Sequence, residues 1–298
     1  MIRIFGTIFA TLLGLAFGSF LNLCLTRWPE EESVVKPRSH CRQCGHTLAW
    51  WENLPLASWL LLRGRCGKCR AWIGIRYPLV ELAVALLWAA SAWQALPAMK
   101  GPSDSLDFVL YTGVATALGK MIFYWALVAL AVLDAENFWL PDWITWPGIA
   151  LGFLFTFATA TFAAISPLND APDMGHPVAR AVVGSLTGAL LAAGLVLFIR
   201  WLYGLFRHRE GMGFGDAKLM ALLAAWIGFP QALLAFAVGI VLGALFAVVL
   251  LASPAPRAKT ESWPLSKLPL GTFLCIGGVV SSLWGAPILS AYLGWAGF

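Results

Sequence analysis

Charged residues are scarce in this sequence. Only 12% of its 298 residues are Asp, Glu, Lys or Arg, and 60% are hydrophobic, whereas a soluble globular protein carries about 25% charged residues. This composition excludes a water-soluble globular domain. The net charge of +5 does not indicate nucleic-acid binding, because the basic residues lie between apolar runs, where orientation in a membrane explains them.

Internal repeats and low-complexity tracts are also lacking. A transporter is expected to show inverted repeats or helices interrupted near the membrane midplane, so the lack of a repeat counts against transport. Cysteine is sparse, with six residues, of which Cys24 and Cys275 lie in apolar runs. We interpret these two as small buried side chains rather than functional thiols.

Long apolar runs dominate what is present. A helix needs about twenty apolar residues to cross a bilayer, and runs of this length predict an all-α polytopic membrane protein with about eight transmembrane helices. The sixth span is short and meets the seventh at 228–230 (GFP), so these two could instead form one broken helix. The predicted spans are 4–26, 77–97, 108–133, 143–164, 177–203, 214–228, 230–252 and 270–292.

Basic residues predict the orientation of the chain. Sixteen of the twenty Lys and Arg residues lie in the segments 27–76, 200–218 and 253–269, which should face the cytoplasm by the positive-inside rule. The first apolar stretch, 4–25, is too long for the apolar part of a signal peptide, and no A-x-A site follows it. We therefore expect this stretch to be retained as a transmembrane helix.

Segment 27–76 is the only soluble unit of any size, and its length is marginal for an unaided hydrophobic core. Two CxxC pairs within it, Cys41 with Cys44 and Cys66 with Cys69, predict a zinc-ribbon-like insertion held by a closed four-thiolate Zn²⁺ site. The reducing cytoplasm disfavours disulfides, and metal binding would supply folding energy. With no open coordination position, the metal would be structural. Unligated thiols are the alternative.

Glycines and histidines flank the two CxxC pairs. Gly45 and Gly67 should give the backbone freedom for a tight turn at each pair. His40 and His46 lie next to the first pair, and we interpret them as neighbours of the site, not as ligands.

Two stretches carry the candidate catalytic chemistry, 134–142 (DAENFWLPD) and 213–218 (GFGDAK). Acidic residues at the edge of a membrane span are costly and therefore functional candidates, and the predicted topology places Asp134 and Asp216 at the same membrane face. Two neighbouring carboxylates cannot both ionise cheaply, so one keeps its proton. One can then take a proton from water while the other donates a hydrogen bond to the scissile carbonyl, as in an aspartyl protease.

Three residues near Asp216 are candidates for supporting roles. Gly213 and Gly215 should let the backbone turn sharply and approach closely before the sixth span. Asp216 would then lie near a helix N-terminus, which favours negative charge. Asp142, which follows Pro141, fits a helix N-cap better than a catalytic acid.

Two further charged residues have alternative interpretations. Lys218 most simply extends its side chain to the membrane interface, although it could bias the charge of the aspartates. Glu81 lies about one turn inside the second predicted span. It either pairs with Arg76 or shapes a binding pocket, and the sequence does not decide between these.

The order, spacing and topology of several short motifs together resemble the bacterial type IV prepilin peptidases, which are membrane aspartyl proteases of the Gly-x-Gly-Asp group. The resemblance covers nearly the whole chain, and no single motif is decisive. One departure is that 268–271 lacks the Phe often found before its Gly. The motifs are 18–22 (GSFLN), the double CxxC segment, 76–81 (RYPLVE), Asp134 with 141–142 (PD), 213–218 (GFGDAK) and 268–271 (LPLG).

The resemblance implies a reaction and a location. Asp134 and Asp216 match the family's catalytic aspartates, and the CxxC cysteines match its cytoplasmic zinc-binding insertion. Substrates would be prepilins and pseudopilins of type II secretion, cut after a Gly that ends a short basic leader. Many members then N-methylate the new terminal residue with S-adenosylmethionine, a cofactor carried here by the resemblance alone. The implied location is the bacterial inner membrane, with the active site facing the cytoplasm.

The expected domain organisation has three parts: a first transmembrane helix (1–26), a four-cysteine zinc-binding insertion (27–76) and a transmembrane aspartyl protease core (77–298). A membrane transporter and a non-catalytic zinc-bearing scaffold are the alternative functions. The scaffold would account for the insertion but would leave the two aspartates without a role.

Overall fold

The computed structural model of the chain describes residues 1–96, 106–164, 175–207, 213–252 and 268–297. Most of the basic segment 253–269 and part of 200–218 lie outside these ranges. Within them the chain is helical, and the only β-structure is two isolated bridges, His40 with Thr47 and Arg65 with Trp72. The predicted all-α class is confirmed.

Nine α-helices lie in the described ranges, and eight of them coincide in order with the eight predicted spans. The additional helix, α2, is a short element in the segment that carries the CxxC pairs. The helices are α1 (Ile2–Arg27), α2 (Ala57–Leu61), α3 (Arg76–Ala95), α4 (Leu106–Asn137), α5 (Asp142–Ala164), α6 (Gly175–Arg207), α7 (Phe214–Ile227), α8 (Phe229–Ala252) and α9 (Leu270–Ala296).

Seven of these helices contain a stretch long and apolar enough to cross a membrane. The exception among the eight is α7, which has 14 residues and is shorter than a bilayer span requires. It is separated from α8 by Gly228, whose φ of +82° favours glycine. The chain is therefore a multi-pass membrane protein. It has seven candidate spans, and the short helix α7 takes the place of the sixth of the eight spans predicted from the sequence.

The chain divides into two compact units, and the first comprises Met1–Ala129. Its helices α1 and α3 pack at close range. A Cβ placed on Gly14 would lie 2.7 Å from Ala85 Cα, and one placed on Gly18 would lie 2.7 Å from Glu81 Cα. Small residues at such contacts let membrane helices approach backbone to backbone. The cysteine-bearing segment connects these two helices.

The second unit comprises Leu130–Phe298, and α7 is its central helix. It packs against α5, α6, α8 and α9, which explains why α7 is apolar on almost all sides. Because α7 is enclosed, Asp216 in its first turn is carried into the interior of the unit. The buried residues of α7 are Asp216, Ala217, Leu219, Met220, Ala221, Leu222, Leu223, Ala224 and Ala225.

Candidate active site and metal centre

Asp134 lies in the last turn of α4, and its carboxyl group caps the N-terminus of α9. Its Oδ2 accepts a hydrogen bond of 2.7 Å from the backbone N–H of Thr272, one of the first-turn donors that lack a partner within a helix. The positive end of the helix dipole there favours negative charge. Gly271 makes this contact possible, because a Cβ at that position would lie 2.9 Å from Asp134 Oδ2.

Asp216 is the third residue of α7, in the first turn, as the sequence predicts. Its Oδ2 accepts a hydrogen bond of 3.0 Å from the N–H of Gly213. Gly213 has a φ of −81°, which any residue adopts, so the predicted sharp turn does not explain it. Gly215 instead provides space, since a Cβ there would lie 3.0 Å from Leu140 Cδ1.

Leu140 brings the two aspartate-bearing segments together. The same Cδ1 methyl group that faces Gly215 would lie 3.1 Å from a Cβ placed on Gly271. Gly215 directly precedes Asp216, and Gly271 contacts Asp134. The structure therefore gathers both predicted aspartates into one site.

This site combines burial with free acceptor atoms. Asp134 is only 6% exposed and Asp216 only 9%, so charge on either one acts in surroundings of low polarity. Each carboxyl group uses Oδ2 to bind a helix N-terminus. Among the described residues no donor binds either Oδ1, which leaves one oxygen of each group for water or a peptide. Such a pair can perform acid–base hydrolysis.

Asp142 forms an ion pair with Lys218, which follows Asp216 by two residues in α7. The helix α5 begins at Asp142, and the carbonyl oxygen of Pro141 accepts from the N–H groups of Ile144 and Thr145, both at 3.1 Å. The N-cap position therefore belongs to Pro141, and the interpretation of Asp142 as the N-cap is wrong. Its carboxylate, 62% exposed, instead binds Lys218.

Glu81 lies in the first unit and is 7% exposed. Its Oε2 accepts a hydrogen bond of 2.8 Å from the N–H of Leu56, a residue whose φ of +56° is uncommon for a side chain with a Cβ. Glu81 thus ties α3 to the cysteine-bearing segment. Arg76, its suggested partner, donates to Thr26 Oγ1 at 2.8 Å. A role of Glu81 in a binding pocket stays a prediction.

The four predicted metal ligands form one cluster. The sulfur atoms of Cys41, Cys44, Cys66 and Cys69 all lie within 4.8 Å of one another, which fits four ligands around one tetrahedral ion. Neither His40 nor His46 belongs to this cluster, and their interpretation as neighbours of the site stays a prediction. The cluster could hold a metal ion.

Each CxxC pair is closed by the same backbone hydrogen bond. The N–H of Cys41 donates to His46 O, and the N–H of Cys66 donates to Ala71 O, both at 2.9 Å. Further backbone N–H groups, of Cys69 and Lys68, lower the pKa of the Cys66 thiol to about 6. The Ala71 N–H also lowers the pKa of the Cys69 thiol, but burial and hydrogen bonds with the other cysteines outweigh it and raise that pKa to about 11.

The two turns reach this geometry with different residues. Gly45 has a φ of +68° in the first turn, and Arg70, not Gly67, has the matching φ of +61° in the second. The predicted conformational role is therefore correct for Gly45 and wrong for Gly67. A Cβ on Gly67 would collide with the Oε1 atom of Glu52, so this glycine provides room for a carboxylate.

Glu52 links the two turns, since its other oxygen reaches the first one. Oε2 accepts from the N–H of Ala49 at 2.9 Å and lies 3.1 Å from His46 Nε2. The N–H of Ala49 and the His46 ring hold the pKa of this carboxyl group below its ordinary value, although burial opposes them. Glu52 is 8% exposed and so acts as a buried support for the cysteine cluster.

The variant Glu52→Gln is expected to weaken metal retention about tenfold, the lower range for losing an outer-shell partner. The amide keeps the shape of the side chain but loses the charge that faces Ala49 and His46. Competition with a chelator, followed by elemental analysis, measures the change. Glu32→Gln is the matched control, because Glu32 is exposed and its replacement should leave metal retention at the wild-type level. A Glu52→Gln protein that retained metal as well as Glu32→Gln does would contradict the proposed support.

Sequence reasoning did not single out Thr272, Leu140 or Glu52. For Thr272 a signal was present, because it directly follows the motif 268–271 that carried part of the family resemblance. No local pattern marks Leu140 or Glu52, whose contacts depend on the tertiary structure.

Comparison with known proteins extends these observations. Residues 12–95 match the sequence profile of the Bacterial Peptidase A24 N-terminal domain, and residues 121–248 match that of the Type IV leader peptidase family. No solved structure matches the chain.

Full-length relatives give the same result. A prepilin leader peptidase/N-methyltransferase of Pseudomonas putida is 36% identical, over 97% of this chain and 94% of the relative. Proteins of the same name are 33% identical in Pseudomonas aeruginosa, over 96% and 93%, and in Aeromonas salmonicida, over 95% and 92%. With both profiles matched in order and the aspartates gathered in one site, this chain belongs to the type IV leader peptidase family.

Proposed function

We propose that this protein cleaves the leader peptides of prepilins and pseudopilins and then N-methylates the new N-terminal residue. Membership of the leader peptidase family and the names of the full-length relatives support both activities. The hydrolytic part is supported by the burial of Asp134 and Asp216 and by Leu140, which lies close to both Gly215 and Gly271 beside them. Each aspartate holds a helix N-terminus through Oδ2 and keeps Oδ1 for the reaction.

The proposed hydrolysis uses the two carboxyl groups in complementary forms. Because the groups interact, they share one proton over the working pH range. The ionised carboxylate removes a proton from water, which attacks the scissile carbonyl carbon. The protonated carboxyl donates a hydrogen bond to the carbonyl oxygen and supports the developing negative charge. Proton transfer to the leaving amine then releases the leader.

We further propose that this site faces the cytoplasm in a bacterial inner membrane. Asp134 lies at the end of α4 and Asp216 at the start of α7. When successive spans cross the membrane in alternating directions, these two helix ends lie at the same membrane face. The basic segment 27–76 belongs to the same face, and basic connections favour the cytoplasmic side. Cleavage there fits a short basic leader that has not crossed the membrane.

We propose that the cysteine cluster holds a structural Zn²⁺. Four thiolates are the donor set of closed zinc sites, and the sulfur spacing fits a single ion. The ion would fasten a segment too small to fold on a hydrophobic core alone. This view keeps the three-part organisation predicted above, with 27–76 as an insertion between α1 and the protease core.

The methyl donor proposed for the second activity is S-adenosylmethionine, which supplies an electrophilic methyl group when bound. In the described part of the chain we assign no residue to it. The relatives named as N-methyltransferases support this activity.

Gly213, Gly215, Lys218, Asp142 and Glu81 are proposed as supporting residues. The glycines set the position of Asp216, and Glu81 anchors the cysteine-bearing segment. The variant Lys218→Met is expected to lower the cleavage rate by no more than about tenfold, because its partner Asp142 is largely exposed and such pairs contribute little. Initial cleavage rates measure this effect, and a complete loss in a folded variant would make Lys218 part of the catalytic machinery.

Cleavage of a prepilin-type substrate in membranes, followed by mass spectrometry of the new N-terminus, tests the proposed function. A cut after the leader Gly is expected, with an added methyl mass when S-adenosylmethionine is supplied. A folded protein that leaves several such substrates uncut would favour the transporter or scaffold alternatives. A cut without methylation would confine the function to proteolysis.

A further inference from the structure

We propose that Thr272 is a positioning residue that holds Asp134 in both of its protonation states during the reaction. The proposal rests on the proposed function, since it concerns the proton cycle of the aspartate pair. It assigns a role to a residue that contacts Asp134 with two polar groups, a backbone N–H and a side-chain hydroxyl.

The backbone N–H provides a constant contact. It donates to Asp134 Oδ2 at 2.7 Å, and α9 begins two residues earlier, at Leu270. The donor is therefore held by the first turn of a helix and cannot rotate away. Oδ2 can accept this bond both as a carboxylate oxygen and as the carbonyl oxygen of an acid protonated at Oδ1, so the bond persists whether Asp134 is ionised or neutral.

The hydroxyl provides an adjustable contact. Thr272 Oγ1 lies 3.1 Å from Asp134 Oδ2 and 2.9 Å from the carbonyl oxygen of Ala131. A hydroxyl has one proton and two acceptor lone pairs, so it can donate to only one of these two oxygens at a time. Since Ala131 O is always an acceptor, the state of Asp134 decides which arrangement is better.

The two arrangements match the two states of the acid. When Asp134 is ionised, the Thr272 hydroxyl donates to Oδ2 and supports its negative charge. When Asp134 is protonated at Oδ1, Oδ2 becomes a neutral carbonyl oxygen and a weaker acceptor, and the hydroxyl turns to Ala131 O. Neither state leaves a buried donor without an acceptor, a defect that is costly at low polarity.

Such adjustment is useful because each turnover moves a proton onto and off the aspartate pair. A lysine or backbone donor alone would favour one state and resist the other. By turning through one torsion angle, the Thr272 hydroxyl keeps Asp134 in place while its charge changes. The position of the carboxyl group, and not the binding of substrate, is what the hydroxyl controls.

The test compares Thr272→Val and Thr272→Ser with the wild type. Valine keeps the branched shape but loses the hydroxyl, so kcat for leader cleavage should fall about 10–100-fold, the range for losing a hydrogen bond to a charged group, while KM stays unchanged. Serine restores the hydroxyl and should restore kcat. Thr187→Val is the matched control, because the Thr187 hydroxyl bonds only its own helix on an exposed face, and its kcat should equal that of the wild type.

A folded Thr272→Val protein with wild-type kcat would overturn the proposal, as would an equal loss in the serine variant. If the valine variant does not fold, Thr272→Ala is measured with the same expectations. These results are separate from those for the proposed function. A wild-type protein that cuts no prepilin overturns both, whereas a wild type that cuts and a valine variant that cuts equally well overturns only the role of Thr272.

Discussion

The variants Asp134→Asn and Asp216→Asn are each expected to abolish leader cleavage, with a loss of about 10³-fold or more, because both carboxyl groups act as one unit. Asparagine cannot supply the shared proton or accept one from water. Its amide oxygen can still accept the N–H of Thr272 or of Gly213, so the helix contacts survive. Thermal unfolding checks that the proteins remain folded, and mass spectrometry of the product measures cleavage.

Glu136→Gln is the control for the loss of a carboxylate. Glu136 lies in the last turn of α4 with Asp134 but is exposed, so its replacement should leave cleavage at the wild-type rate. If the glutamine variant lost activity as completely as Asp134→Asn, a general effect of charge at this end of α4 would explain both results, and the assignment of Asp134 would fail.

The variant Cys66→Ser is expected to prevent binding of the proposed Zn²⁺ and to unfold the segment 27–76. Structural zinc supplies about 10–16 kcal/mol to small domains, which is comparable to the whole stability of a typical domain, about 5–15 kcal/mol. Cys66 is the buried member of the cluster, 3% exposed, so a serine there leaves both a poor ligand and a buried hydroxyl. Elemental analysis measures the metal, and limited proteolysis measures the segment.

Cys24→Ala is the matched control for cysteine loss. Cys24 is also buried, 1% exposed, but lies in α1, outside the cluster. We expect this variant to keep the wild-type metal content and protease resistance. A Cys66→Ser protein that retained about one equivalent of metal and resisted proteolysis would show that the four thiolates do not form a structural metal site.

Most of the helical framework could be predicted from the sequence, because apolar runs of bilayer length have few alternative structures. The ends were less predictable. The third span was expected to end at residue 133, where the apolar run stops, yet α4 continues to Asn137. The N–H of Phe138 still donates to Asp134 O at 2.9 Å, so hydrogen bonding extends the helix beyond the hydrophobic stretch and places Asp134 inside its last turn.

The identity of the two aspartates could be predicted, but the contacts that hold them could not. Thr272 lies 138 residues from Asp134 in the chain, and nothing local to either residue indicates that α9 presents its N-terminus to this carboxyl group. The left-handed conformation of Arg70 was similarly unpredictable, since local preference favours glycine there. The backbone bonds that close the second CxxC turn outweigh this preference.

The measurement that tests the account most directly is a single series of cleavage rates, from the wild type, Asp134→Asn, Asp216→Asn and the double variant, on one prepilin-type substrate in membranes. If the aspartates form one catalytic pair, each single variant should be as inactive as the double variant, with every protein folded. A folded single variant that still removes the leader at a rate near that of the wild type would contradict the pair and require a different catalytic group.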